Sequence, residues 1–577
     1  MTQLDFRTQV LHRQHSPRRA ETVWYSKNKL KLLDFSAFTI FLSAPKIYND
    51  GKLCKLDIII SQRVACSHNT QIECPYSPIR NHIMQTTSDA LSLAEQMHSE
   101  EIAFICEDRK RTFTEFFDRC HRVGSVLNEL GVSEGQRVAI WAANSEIYAE
   151  LYLAIPSHGR EIMPLNTRWA FSELEYALED GDATLLITDR DPGPLSKNVE
   201  QIISIAEYEQ LIQNSEPLPF VDVSEDALLG LFYTGGTTGK SKGVMLTHRN
   251  ILANTLHCQI MMPLSAEDKY LLAAPMFHAA GTLSVLQCIA LGAAQIIVPT
   301  FDPNVCLDLI EMERCTSTLL VPTMIAAMVE AQAKNPRSLD TMALLTHGAS
   351  PISTEVLRKA CEQIPNAEFI HIYGATETAP LVSGLRSEQL LIDTPLGKSV
   401  GRPTLGVSIK IDADQGQPGE VLVKGPNVTS GYWNKPEQTA EVIQGDWYRT
   451  GDVGYLDHGG NLFLVDRAKD MIISGGENIY CSEVEEVIYQ NPKILEATVF
   501  GIPHPVWGEQ VHATVVPRDT SLTESELIDF CRTSLAGYKL PRSIAFQEKE
   551  LPKSGPGKVL KRELRAPYWV GHERSIN

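Results

Sequence analysis

The residues best suited to chemistry lie in one stretch, YTGGTTGKSKG, at positions 233–243. It follows the apolar run LLGLF and combines glycines, threonines and two lysines. A glycine-rich turn after a buried strand presents backbone N–H groups, hydroxyls and ammonium groups to a phosphate. The Walker pattern G-x-x-x-x-G-K-[ST] would use Lys240 and Ser241, but it requires glycine where this chain has Thr234. The stretch alone therefore predicts a phosphate-binding loop of unassigned type.

Four further motifs follow this loop in order. They are HIYGATET at 371–378, DWYRTGD at 446–452, DRAKDMIISGGENIY at 466–480 and LPKSGPGKVLKRELR at 551–565. Together with the loop, they resemble the adenylate-forming superfamily, which comprises acyl-CoA synthetases, peptide-synthetase adenylation domains and luciferases. The resemblance covers residues 85–570.

The resemblance implies a two-step reaction. A carboxylic acid attacks the α-phosphate of ATP and releases pyrophosphate, and CoA then takes the acyl group from the acyl-adenylate and releases AMP. The expected small-molecule partners are thus the acid, ATP, Mg²⁺ and CoA. The family's loop lysine corresponds to Lys242, whereas Lys240 falls at a variable position. Gly235 replaces the family's serine, and Ser241 replaces its proline.

Roles in ATP binding carry over position by position from the resemblance. Tyr373 would stack on adenine, Thr376 would hydrogen-bond the α-phosphate, and Glu377 would hold Mg²⁺. Asp452, expected in an exposed acidic turn, would accept the ribose hydroxyls, and Arg467 would contact the ribose. The residues predicted to bind ATP are Thr234, Gly235, Gly236, Thr237, Thr238, Gly239, Lys242, Gly348, Ala349, Ser350, Tyr373, Gly374, Thr376, Asp452, Arg467 and Lys558.

Two lysines of the C-terminal motifs complete the predicted machinery. Lys558 would bridge the substrate carboxylate and the α-phosphate, because a cation offsets the repulsion between two anions and stabilises the transition state. Lys469 matches the hinge about which the C-terminal domain rotates between adenylation and transfer. The predicted catalytic residues are Lys558, Glu377, Thr376 and Lys469, with Glu377 as the metal ligand. The residues predicted to bind CoA are Ser474, Gly475, Gly476 and Glu477.

The nature of the acid is less constrained by these motifs. Acetyl-CoA synthetases carry a tryptophan where this chain has Gly374, so we expect room for a longer or aromatic acyl group. The ending GKVLKRELRAPYW resembles medium- and long-chain fatty-acid–CoA ligases, and aryl acids and loading of a carrier protein stay open. A catalytically weak nucleotide-binding scaffold is the non-enzyme alternative. The residues predicted to line the acyl pocket are His278, which is either a gate or a core residue, Thr282, Ala349, Gly374, Ala375 and Leu381.

The elements that must position these residues follow from periodicity. Helical patterns alternate with short apolar strands, which predicts an α/β fold with a large N-terminal domain of parallel-rich βα layers over 84–468. After Gly401, short strands separated by turn residues predict an antiparallel β subdomain. Residues 469–577 predict a small, mobile α+β C-terminal domain, and 1–83 form an extension of unknown role.

Composition narrows the class of protein. The chain has 577 residues and a net charge of -19, which argues against a nucleic-acid partner. No apolar run is long enough to predict a transmembrane segment. Its twelve cysteines form no C-x-x-C pair, which is typical of free thiols in a reducing compartment. We therefore expect a cytoplasmic protein, with mitochondrial import through the basic N-terminus as the alternative. The oligomeric state is not predicted.

Overall fold

The computed structural model describes residues 85–234, 240–414, 416–467, 470–475, 477–553 and 559–570, together with the backbone of three strands nearer the N-terminus. Those strands lie in a separate unit, Met1–Arg80, and form an antiparallel sheet in the order β1-β2-β3. They are β1 (Lys31–Phe35), β2 (Phe38–Leu42) and β3 (Ile58–Ser61). The rest of the extension predicted at 1–83 lies outside the described residues.

The first part of the second unit builds a six-stranded sheet in the order β11-β10-β7-β6-β8-β9. All neighbours in it are parallel except β10 and β11. Threonine or serine N-caps with an acidic residue three positions later, as at Thr112 and Glu115, begin helices here. The elements are α1 (Thr87–Met97), β4 (Ile102–Cys106), β5 (Arg109–Thr112), α2 (Phe113–Glu129), β6 (Arg137–Trp141), α3 (Glu146–Ser157), β7 (Glu161–Pro164), α4 (Phe171–Asp180), β8 (Ala183–Thr188), β9 (Gln201–Ser204), α5 (Ile205–Asn214), β10 (Leu228–Thr234) and β11 (Lys242–Thr247).

A nine-stranded sheet follows, in the order β18-β17-β16-β15-β14-β12-β13-β4-β5. Its six central strands are parallel, and the edges at β5, β17 and β18 are antiparallel. The added elements are α6 (His248–Met261), β12 (Lys269–Leu272), α7 (Ala279–Thr282), α8 (Val285–Leu291), β13 (Ala294–Ile297), α9 (Pro303–Glu313), β14 (Ser317–Leu320), α10 (Pro322–Lys334), β15 (Leu344–Gly348), α11 (Thr354–Gln363), β16 (Glu368–Gly374), β17 (Leu381–Leu385) and β18 (Arg402–Pro403).

Two smaller sheets complete the unit. The first has the antiparallel order β19-β20-β22-β21, with β23 paired to β22, and it is the predicted β subdomain. The second has the order β25-β24-β27-β26, with β28 parallel to β27, and it encloses its own hydrophobic cluster. The elements are β19 (Ser408–Asp412), β20 (Gly419–Lys424), α12 (Pro436–Val442), β21 (Ile443–Gln444), β22 (Trp447–Leu456), β23 (Leu462–Arg467), β24 (Ile472–Ser474), β25 (Glu477–Ile479), α13 (Cys481–Tyr489), β26 (Ile494–His504), β27 (Gly508–Pro517), α14 (Glu524–Arg532), β28 (Ser543–Phe546) and α15 (Lys561–Arg565).

The predicted fold class is confirmed: parallel-rich βα layers, an antiparallel β subdomain and a small α+β C-terminal part. The prediction did not give the number of sheets, and the structure divides the parallel strands between two of them. The boundary near 468 and 469 stays a prediction, since Lys469 lies outside the described residues. Within the described residues, no helix has the length and apolar character needed to cross a membrane.

Candidate active site

The strands that flank the phosphate-loop stretch form an antiparallel hairpin. Thr234, the last residue of β10, is the register partner of Lys242, the first residue of β11. The Lys242 ammonium lies 4.6 Å from the centroid of the Tyr432 ring, a cation–π contact. Gly235, Gly236, Thr237, Thr238 and Gly239 lie outside the described residues. The hairpin therefore fixes the base of the stretch and places Lys242 against Tyr432.

Tyr432 also brings Glu377 to this place. Glu377 lies on a 3-10 turn, Thr376–Thr378, that follows β16, and its Oε1 accepts a hydrogen bond of 2.9 Å from the Tyr432 hydroxyl. Its backbone carbonyl accepts the Thr429 N–H at 2.8 Å. Burial and then the Glu377 charge raise the pKa of Tyr432, so the hydroxyl stays a donor. Lys242 and the predicted metal ligand Glu377 thus share one aromatic neighbour.

A second carboxylate cluster lies on the β subdomain. Asp452 in β22 and Arg467 in β23 are register partners, and Arg467 Nε lies 3.2 Å from Asp452 Oδ1. The Tyr373 hydroxyl donates to Asp452 Oδ2 at 2.7 Å. The expectation of an exposed acidic turn is wrong: Asp452 lies inside a ten-residue strand, and its side chain is only 13% exposed. Cross-strand pairing, which the motif does not encode, places the acid against the arginine.

The pKa of one buried tyrosine, Tyr448, is affected by both carboxylates, Glu377 and Asp452. Tyr448 is 4% exposed, and burial followed by the charges of Glu377 and Asp452 raises its pKa well above the ordinary value. The predicted metal ligand follows β16, the strand whose Tyr373 is hydrogen-bonded to the predicted ribose acceptor, Asp452. The sequence analysis missed Tyr432 and Tyr448. Tyr448 stands inside the DWYRTGD motif, but no spacing rule relates it to Glu377, which follows a strand of another sheet.

Two predicted segments follow the carboxyl ends of neighbouring parallel strands. Gly348 ends β15 beside Ile372 of β16, so Gly348–Ser350 and the YGATE residues emerge at the same sheet edge. Ligands of open α/β sheets bind at such edges. Ala349 has a φ of 68°, in the left-handed region that costs an alanine about 1–2 kcal/mol. Strained residues of this kind cluster at functional sites.

The two strands are tied together behind that edge by a buried triad. His347 Nε2 lies 2.6 Å from Glu388 Oε2, and His371 Nδ1 lies 3.5 Å from Glu388 Oε1, with the two imidazoles stacked at 4.6 Å. Burial would raise the pKa of Glu388, but His347 and then His371 outweigh it and lower it to about 2. Burial lowers the pKa of His347, although the Glu388 carboxylate opposes that shift. The ligating atoms lie within 4.8 Å of one another, but the 2.6 Å contact is that of a hydrogen bond, and we assign no metal here.

The reason for Gly374 differs from the one expected. A Cβ on Gly374 would lie 1.6 Å from the Pro380 carbonyl oxygen, and a Cβ on Gly348 would lie 2.4 Å from the Ile372 oxygen. Backbone packing therefore requires both glycines. The inference of acyl-pocket size from Gly374 does not hold, because its missing side chain would point into backbone rather than into a pocket.

The other predicted acyl-pocket residues fall into two groups. Ala349 is exposed, and His278 and Ala375 are partly exposed, whereas Thr282 and Leu381 are buried at 4% and 1%. Thr282 borders a cavity of about 10 Å³, which holds at most one water molecule. His278 caps α7, since its Nδ1 accepts the Ala280 N–H at 3.2 Å, and burial lowers its pKa to about 4. A neutral capping role is therefore visible for His278, and a gating role stays a prediction.

The predicted CoA loop is a tight hairpin between β24 and β25. Ser474 pairs with Glu477, and Gly475 has a φ of 61°, which favours glycine. The Gly475 N–H donates to the Trp507 carbonyl at 2.9 Å. Gly476, Lys469 and Lys558 lie outside the described residues, so their predicted roles are not placed by the structure.

Comparisons with known proteins agree with this geometry. The family model described as AMP-binding enzyme matches residues 92–433, and the model of the AMP-binding enzyme C-terminal domain matches residues 483–558. A feruloyl-CoA synthase from an Amycolatopsis species is 36% identical over 467 residues, covering 79% of this chain and 94% of that protein. A 2-succinylbenzoate–CoA ligase from Bacillus mycoides is 33% identical over 492 residues, covering 84% and 99%.

Among solved structures, the o-succinylbenzoate CoA synthetase of Bacillus subtilis in complex with its acyl-adenylate intermediate superposes with a TM-score of 0.76. It is 30% identical, and the match covers 82% of this chain and 97% of that chain. The chain therefore belongs to the AMP-binding enzyme family, which confirms the AMP-forming ligase that its five motifs resemble.

Proposed function

We propose that the protein is an ATP-dependent CoA ligase that activates an aromatic carboxylic acid through an acyl-adenylate. The observation that supports the ATP-dependent step is the hydrogen bond from Tyr373 to Asp452, because Tyr373 lies in β16, the strand that leads directly into the turn carrying Glu377. A nucleoside triphosphate needs one carboxylate for its metal and another for its ribose, held apart on one surface. The aromatic class is supported by the relatives, whose names specify feruloyl and 2-succinylbenzoate groups.

The residues divide the work of the first step. Asp452 accepts the ribose hydroxyls, Tyr373 supports adenine, and Lys242 offsets charge on the phosphates that leave as pyrophosphate. Glu377 offers the carboxylate oxygen that a hard cation prefers, and bound Mg²⁺ would neutralise phosphate charge. Lys558 bridges the acid and the α-phosphate. The acid's oxygen forms a bond to the α-phosphorus as the bond to pyrophosphate breaks.

In the second step the CoA thiolate attacks the acyl carbonyl, and AMP departs with the oxygen of the original carboxylate. The hairpin that carries Ser474, Gly475 and Glu477 suits this step, because a glycine turn lets a narrow pantetheine arm approach the backbone. Lys469 is the hinge about which the C-terminal domain rotates between the conformation for adenylation and the conformation for transfer. We propose CoA as the acceptor, with a carrier protein as the alternative.

A medium- or long-chain fatty acid is the second candidate for the acid. Its support is the C-terminal ending and the likeness to a solved fatty acyl CoA synthetase from Mycobacterium tuberculosis, which is 29% identical with a TM-score of 0.68. The ending also has packing roles: the Trp569 indole N–H donates to the Gly501 carbonyl at 3.0 Å, and Lys561 pairs with Glu485 at 2.8 Å. These contacts stabilise the C-terminal sheet and say nothing about acyl length. We place aromatic acids first because the relatives named for them are 36% and 33% identical to this chain.

The test is a panel of acids assayed for ATP-dependent pyrophosphate release with and without CoA. It includes ferulate, 2-succinylbenzoate, benzoate and saturated fatty acids from C6 to C18. We expect the highest kcat/KM with an aromatic acid and a thioester product only when CoA is present. A fatty acid with the highest value would overturn the aromatic assignment, and product formation only on a phosphopantetheinyl carrier would overturn CoA as acceptor.

The Lys558→Ala variant separates the two steps. Its adenylation should be lost, while transfer from a preformed acyl-adenylate to CoA persists, because Lys558 serves the attack of the carboxylate on the α-phosphorus and that bond is already formed in the acyl-adenylate. Lys549→Ala, a lysine nearby in the sequence and outside the motif, serves as the control. Equal loss of both half-reactions in Lys558→Ala would contradict its role.

A further inference from the structure

Asp180 is a nearly buried carboxylate outside the residues discussed so far. It ends α4, and its side chain is 9% exposed. Oδ2 accepts the Tyr233 hydroxyl at 2.9 Å, and Oδ1 accepts the Tyr176 hydroxyl at 3.2 Å and pairs with the Lys435 ammonium. Taking a carboxylate out of water is costly unless it is paired and hydrogen-bonded. Three donors from three segments satisfy that requirement.

The partners of Asp180 border the site from two directions. Tyr233 is the penultimate residue of β10, directly before Thr234. Lys435 follows the segment that carries Tyr432, the neighbour of Lys242 and Glu377. Asp180 thus connects the end of β10 to the segment on which the Glu377 hydrogen bond depends.

The same segment is fastened to the start of β11. The Trp433 N–H donates to the Gly243 carbonyl at 2.8 Å, and Val244 forms an antiparallel bridge with Tyr432. On the side of Asp180, the Lys240 ammonium lies 4.5 Å from the centroid of the Tyr176 ring. Each strand of the hairpin is therefore linked to α4 or to the Tyr432 segment.

The charge of Asp180 excludes a direct role in holding phosphate. An uncompensated carboxylate beside a triphosphate would repel it, and here the Lys435 ammonium offsets that charge. The Asp180 hydrogen bond is the first cause of the raised pKa of Lys435, so the ammonium stays charged at neutral pH. Because the two charges of the Asp180–Lys435 pair cancel, the pair can orient Tyr233 without repelling or binding the phosphates of ATP.

We propose that Asp180 is a positioning residue for ATP, which holds Tyr233 and Lys435 so that Lys242 and the Tyr432–Glu377 pair face the same phosphates. The inference rests on the proposed function, since it assumes that Lys242 and Glu377 serve ATP. It adds a residue that touches neither ATP nor the acid and acts through its hydrogen bonds and its ion pair with Lys435.

The experiment compares Asp180→Ala and Asp180→Asn with Asp182→Asn in the full-length protein. Asp182 is exposed, lies two residues away and has a φ of 52°, which asparagine tolerates, so it is a matched control. The measurements are ATP affinity by calorimetry, the KM for ATP in acid-dependent pyrophosphate release, and the rate of thioester formation from preformed acyl-adenylate.

We expect Asp180→Ala to weaken ATP binding and raise the KM for ATP at least tenfold, with transfer from acyl-adenylate within twofold of wild type. Asp180→Asn should fall between, because it keeps an acceptor for Tyr233 and loses the charge that pairs with Lys435. Asp182→Asn should match wild type. Unchanged ATP affinity in Asp180→Ala, or equal loss of both half-reactions, would overturn the proposal.

If Asp180→Ala does not fold, Tyr233→Phe removes only the hydroxyl donor and decides the question. A rise in the KM for ATP of threefold or more supports the proposal, and an unchanged value overturns it. A wild type that binds ATP but activates no acid in the panel would overturn the proposed function, while the calorimetric comparison of the Asp180 variants would still test the positioning role.

Discussion

Replacing Asp452 by Asn tests the ribose contact on which the orientation of ATP depends. An ionised carboxylate offers about four lone-pair sites, and Tyr373 and Arg467 take two of them. Two acceptor sites are left for the 2′- and 3′-hydroxyls. Asparagine keeps the shape of the side chain but loses the charge, and its NH₂ group faces donors rather than acceptors.

The magnitude follows from the strength of such bonds. A hydrogen bond to a charged group contributes about 1.5–3 kcal/mol, so wild-type kcat/KM should fall about tenfold to a hundredfold when ATP is replaced by 2′-deoxy-ATP or 3′-deoxy-ATP. Asp452→Asn should lower kcat/KM with ATP by about that amount or more. The variant should also lose most of the discrimination against the deoxynucleotides. Without the Asp452 charge, a ribose hydroxyl contributes little to binding, so its removal from the nucleotide changes kcat/KM little.

The assay is acid-dependent pyrophosphate release with the three nucleotides at subsaturating concentration. Asp446→Asn is the matched control, since Asp446 lies in the same motif, is 74% exposed and pairs with Lys424. It should behave as wild type. Wild-type discrimination against deoxy-ATP in Asp452→Asn would refute the ribose role and leave Asp452 as an acid that only holds Tyr373 and Arg467.

Three shorter predictions address other contacts. Gly374→Ala should lower stability by about 1–3 kcal/mol through overpacking against Pro380 and reduce activity equally for all acids; selective loss of large acids would restore Gly374 as a measure of pocket size. Tyr432→Phe should slow adenylation about tenfold, as expected for the loss of one hydrogen bond to a charged group, and leave transfer from acyl-adenylate unchanged; slowing of transfer would show that the Glu377 contact serves both steps. Glu388 has a pKa of about 2 against an ordinary 4.5, so it adds stability that is fully present above pH 4.5 and is lost as pH falls toward 2. Glu388→Gln should therefore flatten the dependence of the unfolding free energy on pH between 4.5 and 2. An unaltered dependence in urea titrations would contradict the lowered pKa.

The sequence was sufficient for the parts of the protein that depend on local order. Alternating helical and apolar strand patterns predicted the βα layers, and the five ordered motifs predicted the ligase family. The choice of Lys242 over Lys240 as the phosphate-binding lysine stays a prediction, because family position, not composition, distinguishes the two. The family could be predicted from the sequence because a motif must be contiguous where backbone amides and side chains act on one phosphate.

Tertiary structure alone decided which residues meet. Asp452 faces Arg467 because β22 and β23 pair in one register, and Glu377 reaches Tyr432 across 55 residues of sequence. Asp180 and Lys435 are 255 residues apart. A sequence records the type of each side chain, but cross-strand register and sheet packing set the distances between them. Gly374 shows the same limit: its identity suggested an open pocket, and the nearby Pro380 carbonyl oxygen gives the physical reason for the glycine.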